Sequence, residues 1–314
     1  MTTNVPIIKL NNGQPFPAVG LGTFKGQSTD EELAKAVTLA LDAGYRHFDT
    51  AYAYRTEAAV GKAVREHPTV PRDQVVVVSK LWQTFHRPDL VQPAFDRTME
   101  NLGLEYLDVY MMHWPMAWKF RGFEFDQLTI FEDGDVKCED IDFVDTWRAM
   151  EDLVKIDGRV KSLGVSNFTI PMLEKLLASC DIVPAVHEFE IHPANPNEEM
   201  IEFCRKKGIA VSAYSPLANP GMFGKNSLLE DPRIVEMAEK YSLTPAQLAL
   251  SWGITRGYAV IPKSATPSRI EQNIKLVKLS SEDVDAITKI GMENPAVVCN
   301  PRLAFGPSNN IFNK

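Results

Sequence analysis

Short apolar runs alternate with amphipathic stretches along nearly the whole chain. AVGLGTF (18–24), YRHFDTA (45–51), QVVVVSKLW (74–82) and LDVYMMHWP (107–115) are followed by SLGVSN (162–167), PAVHEFEIHP (184–193), AVSAYSPL (210–217) and YAVIPKS (258–264). Near-continuous apolar runs suit strands buried on both faces of a parallel sheet. Between them lie helical patterns. Asp30 is placed to N-cap a helix to about Ala43, with Leu33, Val37, Ala40 and Leu41 on one face. Further helices are predicted near 56–66, 89–103, 143–157, 170–178, 197–207, 231–240, 245–256, 266–276 and 281–291. At the N-terminus PIIKL and QPFP flank Asn11, Asn12 and Gly13, a hairpin signal. Two segments, 116–141 and 218–229, and the Pro- and Asn-containing tail carry no clean period. They are long enough to be functional loops.

Eight strands, each followed by helix, favour a closed barrel over an open doubly wound sheet. The expected fold is a single (β/α)8 TIM barrel over 1–314, with an N-terminal hairpin and long loops at the C-terminal face. No linker splits the chain and no internal sequence repeat is evident.

Composition narrows the partners. The 314 residues carry 33 basic and 41 acidic side chains, a formal charge of −8, which disfavours nucleic acid and anionic membranes as partners. No apolar run approaches the ~20 residues that span a bilayer. MTTNVPIIKL has no basic stretch leading into a long apolar one, so no secretory leader is expected. Cys138, Cys180, Cys204 and Cys299 form no CxxC pair, which fits reduced thiols and a cytoplasmic protein.

Four residues at or just past strand ends have the types needed to reduce a carbonyl: Asp49, Tyr54, Lys80 and His113. Strand C-termini are where barrel enzymes keep their chemistry. A lysine beside a tyrosine favours the phenolate and lowers its pKa, and an aspartate holds the lysine charged. Singly, each residue is also explained by packing or a buried ion pair; their shared placement is not. This acid machinery lacks a hydride. Gly20, Gly22 and Gly26 are spaced GxGxxxG, which does not match the dinucleotide fingerprint. A better signal lies in IPKSATPSRIEQN. Lys263, Ser264, Thr266, Arg269 and Asn273 gather cations and hydroxyls around a predicted helix N-terminus, an anion site suited to the ribose phosphate of NADPH. A capped helix with solvated basic residues explains them equally. Ser166 and Asn167 offer amide-binding groups at a strand end, and Tyr214 a stacking ring.

Together GLGTF, HFDTAYAYRTEAAVG, VVSKLW, HWP, LGVSNF, PAVHEFEIHP, YSPLANP and IPKSATPSRIEQN resemble the aldo-keto reductase superfamily, on its aldose reductase and xylose reductase branch. The resemblance spans about residues 6–305. It implies a (β/α)8 barrel that reduces a small-molecule aldehyde or ketone, an aldose among the candidates, with NADPH and, more weakly, NADH. It implies Tyr54 as general acid, Lys80 and Asp49 behind it, and His113 orienting the carbonyl oxygen. Thr23, Ser166, Asn167, Glu188, Tyr214, Ser215, Leu217, Lys263, Ser264, Thr266, Arg269 and Asn273 would hold the cofactor. Phe24, Trp82, Trp114, Trp118, Cys299 and Leu303 would wall the substrate pocket. No metal is implied, and a monomer or weak homodimer is expected. Three positions depart from the family pattern: Phe24 stands where Trp is common, Thr56 where Asn is usual, and Glu188 where Gln commonly holds the carboxamide. An ionised Glu188 can only accept hydrogen bonds.

Two other readings follow from the residues. Glu188, Glu190 and His192 alternate along one strand and can face one side, as metal ligands of a lyase or hydrolase would. Alternatively the fold could serve as a non-enzymatic, NADPH-binding regulatory subunit.

Overall fold

The computed structural model describes residues 5–218 and 228–311. Eight parallel strands, β1 (Leu21–Gly22), β2 (His47–Asp49), β3 (Val76–Leu81), β4 (Leu107–Met112), β5 (Val160–Ser166), β6 (Val186–Glu190), β7 (Ala210–Tyr214) and β8 (Ala259–Ile261), pair in chain order. Gly20 N–H donates to the Val260 carbonyl and Gly22 N–H to that of Pro262, each at 3.0 Å, so β1 meets β8 and the barrel closes. Helices α1 (Asp30–Ala43), α2 (Glu57–Glu66), α3 (Pro88–Leu102), α4 (Phe143–Asp152), α5 (Ile170–Leu177), α6 (Glu198–Lys206), α7 (Pro232–Lys240), α8 (Pro245–Thr255), α9 (Pro267–Asn273) and α10 (Ser281–Met292) follow the strands, and α11 (Pro301–Phe305) lies in the tail.

Strand parity explains how one chain makes both the core and the site. Alternate residues of a strand face one side. The inward residues near the strand starts, among them Val76, Val78, Val109, Met111 and Val186, pack with Leu10 and Phe16 of the hairpin. The hairpin, Ile7–Lys9 paired with Pro15–Pro17, seals that end, with Asn12 Nδ2 donating to Ser162 Oγ at 2.8 Å. Two residues further along the same inward face come Lys80, His113 and Glu188, above the apolar plug. The opposite faces, with Val77, Leu81, Tyr110 and Met112, pack against the helices.

Several expectations shift at this level. The cap of α1 is Thr29, one residue before Asp30, in a reciprocal box with Glu32. The helix over 143–157 keeps α geometry only to Asp152 and continues as a wide π turn to Asp157, closed by Gly158 at φ 78°. Segment 116–141 holds two small antiparallel pairs, Ala117–Trp118 with Cys138–Glu139 and Phe131–Glu132 with Asp135–Val136. Most of the expected loop 218–229 lies outside the described residues. Among the described residues no helix is long and apolar enough to cross a membrane. All four cysteines are free.

Candidate active site

The C-terminal part of β3 carries a buried charge pair, Lys80 with Asp49. Lys80 is fully buried, and its ammonium donates to both Asp49 carboxylate oxygens at 2.6 Å and to the Thr50 carbonyl at 3.0 Å. Glu188 Oε1 lies 3.3 Å from the same nitrogen, and Glu188 Oε2 accepts from Ser212 Oγ at 3.1 Å. Burial opposes the Lys80 charge, but Asp49 and Glu188 outweigh it and hold the ammonium. Burial also pushes the Asp49 carboxyl up, reinforced by the Glu188 charge and opposed by Lys80. One ammonium thus faces two carboxyl groups, those of Asp49 and Glu188.

Tyr54 follows β2 in a short 3-10 turn, Tyr52–Tyr54, that ends with Arg55 in the left-handed region at φ 60°. The Tyr54 ring centre is 5.3 Å from Lys80 Nζ, and its hydroxyl is 3.4 Å from His113 Nε2. Burial raises the Tyr54 pKa; Lys80 pulls it down, while Asp49 and Glu188 add to the rise. The expected lowering by Lys80 is therefore outweighed, first by burial of the phenol and then by the Asp49 and Glu188 charges. Burial, and then Lys80, keep His113 well below the ordinary histidine pKa, so it is neutral. His113 Nδ1 finds no hydrogen-bond partner among the described residues.

Asn167 ties three strand ends together. It sits at φ 64°, donates to the His113 carbonyl at 2.9 Å and accepts from the Tyr214 hydroxyl at 2.7 Å. Thr23 Oγ1 donates to the Asp49 carbonyl at 2.8 Å and lies 3.2 Å from Thr56 Oγ1, so both threonine hydroxyls are used within the framework.

These groups open into a cavity of about 1000 Å³. Of the residues singled out in the sequence, Thr23, Phe24, Asp49, Tyr54, Trp82, His113, Trp114, Ser166, Asn167, Glu188, Tyr214, Ser215, Leu217, Lys263, Cys299 and Leu303 line it. Trp118 does not. It is buried behind Trp82, ring centres 5.3 Å apart, with its Nε1 donating to Asn309 Oδ1 at 2.7 Å. Ser264, Thr266, Arg269 and Asn273 lie beyond the lining, the first three around the start of α9 and Asn273 at its end. Thr266 occupies the cap position without a side-chain cap bond, and Ser264 Oγ accepts from the Thr266 N–H at 3.1 Å instead. The lining also includes Arg55, Phe125, Thr129, Asn300 and Phe305, which sequence reading missed. Arg55 packs its guanidinium 4.3 Å from the Phe125 ring centre, and only its place beside Tyr54 hinted at the site.

The metal reading of β6 does not hold among the described residues. Glu190 Oε1 is 2.8 Å from His192 Nε2, and the Glu190 carboxylate also accepts the N–H groups of Val298 and Cys299, each at 2.7 Å. Glu188 meanwhile faces Lys80. No group of three His, Cys, Asp or Glu among the described residues is arranged to hold an ion.

Fold and site define a (β/α)8 barrel whose titratable groups are gathered in one cavity at the C-terminal strand ends. The chain belongs to the aldo/keto reductase family, whose model matches residues 18–291. It is 40% identical over 306 residues to a glycerol 2-dehydrogenase (NADP(+)) of Hypocrea jecorina, covering 95% of each protein. It is 43% identical to aldo-keto reductase family 1 member A1-A of Danio rerio, over 89% of this chain and 88% of that one. The solved aldose reductase of Schistosoma japonicum superposes with a TM-score of 0.89 at 35% identity, covering 98% of this chain and 99% of that one.

Proposed function

We propose that this protein reduces small aldehydes or ketones to alcohols with NADPH, Tyr54 serving as general acid. The observation that carries the reading is the Tyr54 hydroxyl facing His113 Nε2 at 3.4 Å over the buried Lys80–Asp49 pair, inside the cavity described above. Relatives whose names specify NADP(+) or aldehyde reduction support it.

The cavity suits an extended cofactor, since it is continuous from Tyr54 past Tyr214 and Ser215 to the exposed ammonium of Lys263. Ser166, Asn167 and Tyr214 would flank the nicotinamide. Lys263, with Arg269 beyond the lining, would meet the phosphates, which favours NADPH over NADH. When bound, the reduced nicotinamide supplies the hydride. The protein's part is proton and position. A carbonyl oxygen between Tyr54 and neutral His113 receives two hydrogen bonds, which strengthen as the oxygen gains negative charge. Tyr54 is protonated at neutral pH, as a donor must be, and the developing alkoxide is far more basic than a phenolate. Phe24, Trp82, Trp114 and Leu303 give the substrate an apolar wall.

Steady-state assays of aldehydes, ketones and aldoses with NADPH and NADH test this. NADPH-dependent reduction of at least one aldehyde is expected; no consumption of either cofactor across the panel contradicts it.

A further inference from the structure

We propose that Glu188 is a positioning residue of the proton-donating cluster: its carboxylate shares the Lys80 ammonium with Asp49 and so draws part of that charge away from Tyr54. This rests on the reading of Tyr54 as the general acid.

The placement follows from register. On β6, Glu188 pairs with Ser166 of β5 and Ser212 of β7. The Ser212 hydroxyl fixes one oxygen at 3.1 Å, and the other reaches across the barrel to Lys80 at 3.3 Å. The side chain is only 2% exposed. The ammonium already donates to Asp49 and to the Thr50 carbonyl. Glu188 therefore acts on it by charge, not by a short hydrogen bond.

One ammonium and two carboxylates sum to −1 in a buried place. Such a surplus is costly, and the cluster answers by retaining a proton over part of the pH range. Burial pushes the Asp49 carboxyl up, and the Glu188 charge adds to that rise. The other groups facing the cluster do not supply the missing charge. His113, toward the mouth, and His47, toward the hairpin, are both held neutral by burial and by Lys80. Cys299, from the tail, is pushed up to about 11 by burial and stays a thiol. Tyr54 thus sits above a neutral cluster when the shared proton is on, and above a negative one when it is off. In the second state the phenolate is opposed, which favours carbonyl reduction and disfavours alcohol oxidation.

Glu188→Gln leaves the Lys80 ammonium facing the Asp49 carboxyl alone. Removing a like charge close to an ionising group shifts its pKa by roughly one unit or more. Two measurements read this. The first is the ionisation of Tyr54 in the cofactor-free protein, taken as the near-ultraviolet phenolate absorbance of each protein minus that of its Tyr54→Phe counterpart. The second is kcat/KM for alcohol oxidation against pH with NADP+. Both curves should move about one pH unit or more toward acid in Glu188→Gln, with the Kd for NADPH within about three-fold of wild type. Unchanged curves overturn the proposal, as does a ten-fold loss of NADPH affinity with the curves in place, which would make Glu188 a cofactor ligand.

A double-mutant cycle guards against poor folding of the single variant. If Glu188 shares the lysine, Asp49→Asn still leaves Lys80 one carboxylate. Adding Glu188→Gln should then cost far more thermal stability than the sum of the two single changes. Additive losses overturn the proposal. Turnover of Tyr54→Phe itself decides the underlying general-acid reading, whereas the phenolate titration reads the Glu188 charge without any turnover.

Discussion

The tail that closes the substrate side of the cavity hangs on Glu190, and Glu190→Gln tests how. The carboxylate accepts from Val298 N–H, Cys299 N–H and His192 Nε2 at 2.7, 2.7 and 2.8 Å. An amide of the same shape has one acceptor oxygen, so one backbone N–H is left facing an NH2 group. Losing a charge-assisted bond costs about 1.5–3 kcal/mol, and an unsatisfied buried donor adds to it, for a total of about 3 kcal/mol. The segment beyond, with α11, is short. The loss is therefore expected as local opening of the tail, favoured by roughly 100-fold, and not as global unfolding. Val298, Cys299, Asn300, Leu303 and Phe305 all line the cavity, so substrate binding suffers. KM should rise about ten-fold with kcat within about three-fold, since Glu190 does not meet the proposed proton donor. Hydrogen exchange over 297–306 should accelerate in step. If the loss were global, the melting temperature would drop by about 4–5 °C for a chain of this length. Unchanged exchange and unchanged KM would refute the anchor.

Two further outcomes follow from buried or clustered charge. Arg269→Ala should weaken NADPH by roughly ten-fold, the worth of a charged hydrogen bond, and leave NADH little changed; equal losses measured by fluorescence titration would remove Arg269 from phosphate binding. Glu57, the buried first residue of α2, accepts from Ser79 Oγ at 2.6 Å and Asn101 Nδ2 at 2.8 Å, and burial pushes its carboxyl from 4.5 to about 7. Between those values the unfolded chain has lost this proton and the folded one has not, so rising pH erodes stability, by roughly 3 kcal/mol in all. Glu57→Gln should gain on wild type between about pH 5 and pH 8 in urea denaturation, and parallel curves would contradict the assignment.

Much of this was legible in the sequence because barrel strands and their helices announce themselves by period. Val76, Val78 and Lys80 share a parity, and so do Val109, Met111 and His113; the apolar run predicts the strand, and its polar end predicts the site. Contacts across the barrel were not legible. Nothing in the spacing of β3 and β6 reveals that Lys80 and Glu188 meet, since that distance depends on strand stagger and closure. Trp118 reads like Trp82 and Trp114 in sequence, yet its indole N–H is claimed by Asn309, far along the chain, and it falls behind the wall. The pairs within 116–141 are two residues long, too short to show an alternation. Arg55 gave no signal beyond its place beside Tyr54, because its left-handed backbone arises from the turn there and not from a glycine.

The account stands on Tyr54 as the proton donor, and Tyr54→Phe tests that most directly. The variant keeps the ring that packs edge-on to Phe24 and His113 and removes only the hydroxyl. In aldehyde reduction with saturating NADPH, kcat should fall by about 10² or more, in line with the contribution of a general acid, while the Kd for NADPH stays within about two-fold. Turnover within a few-fold of wild type, with cofactor binding intact, would contradict the account.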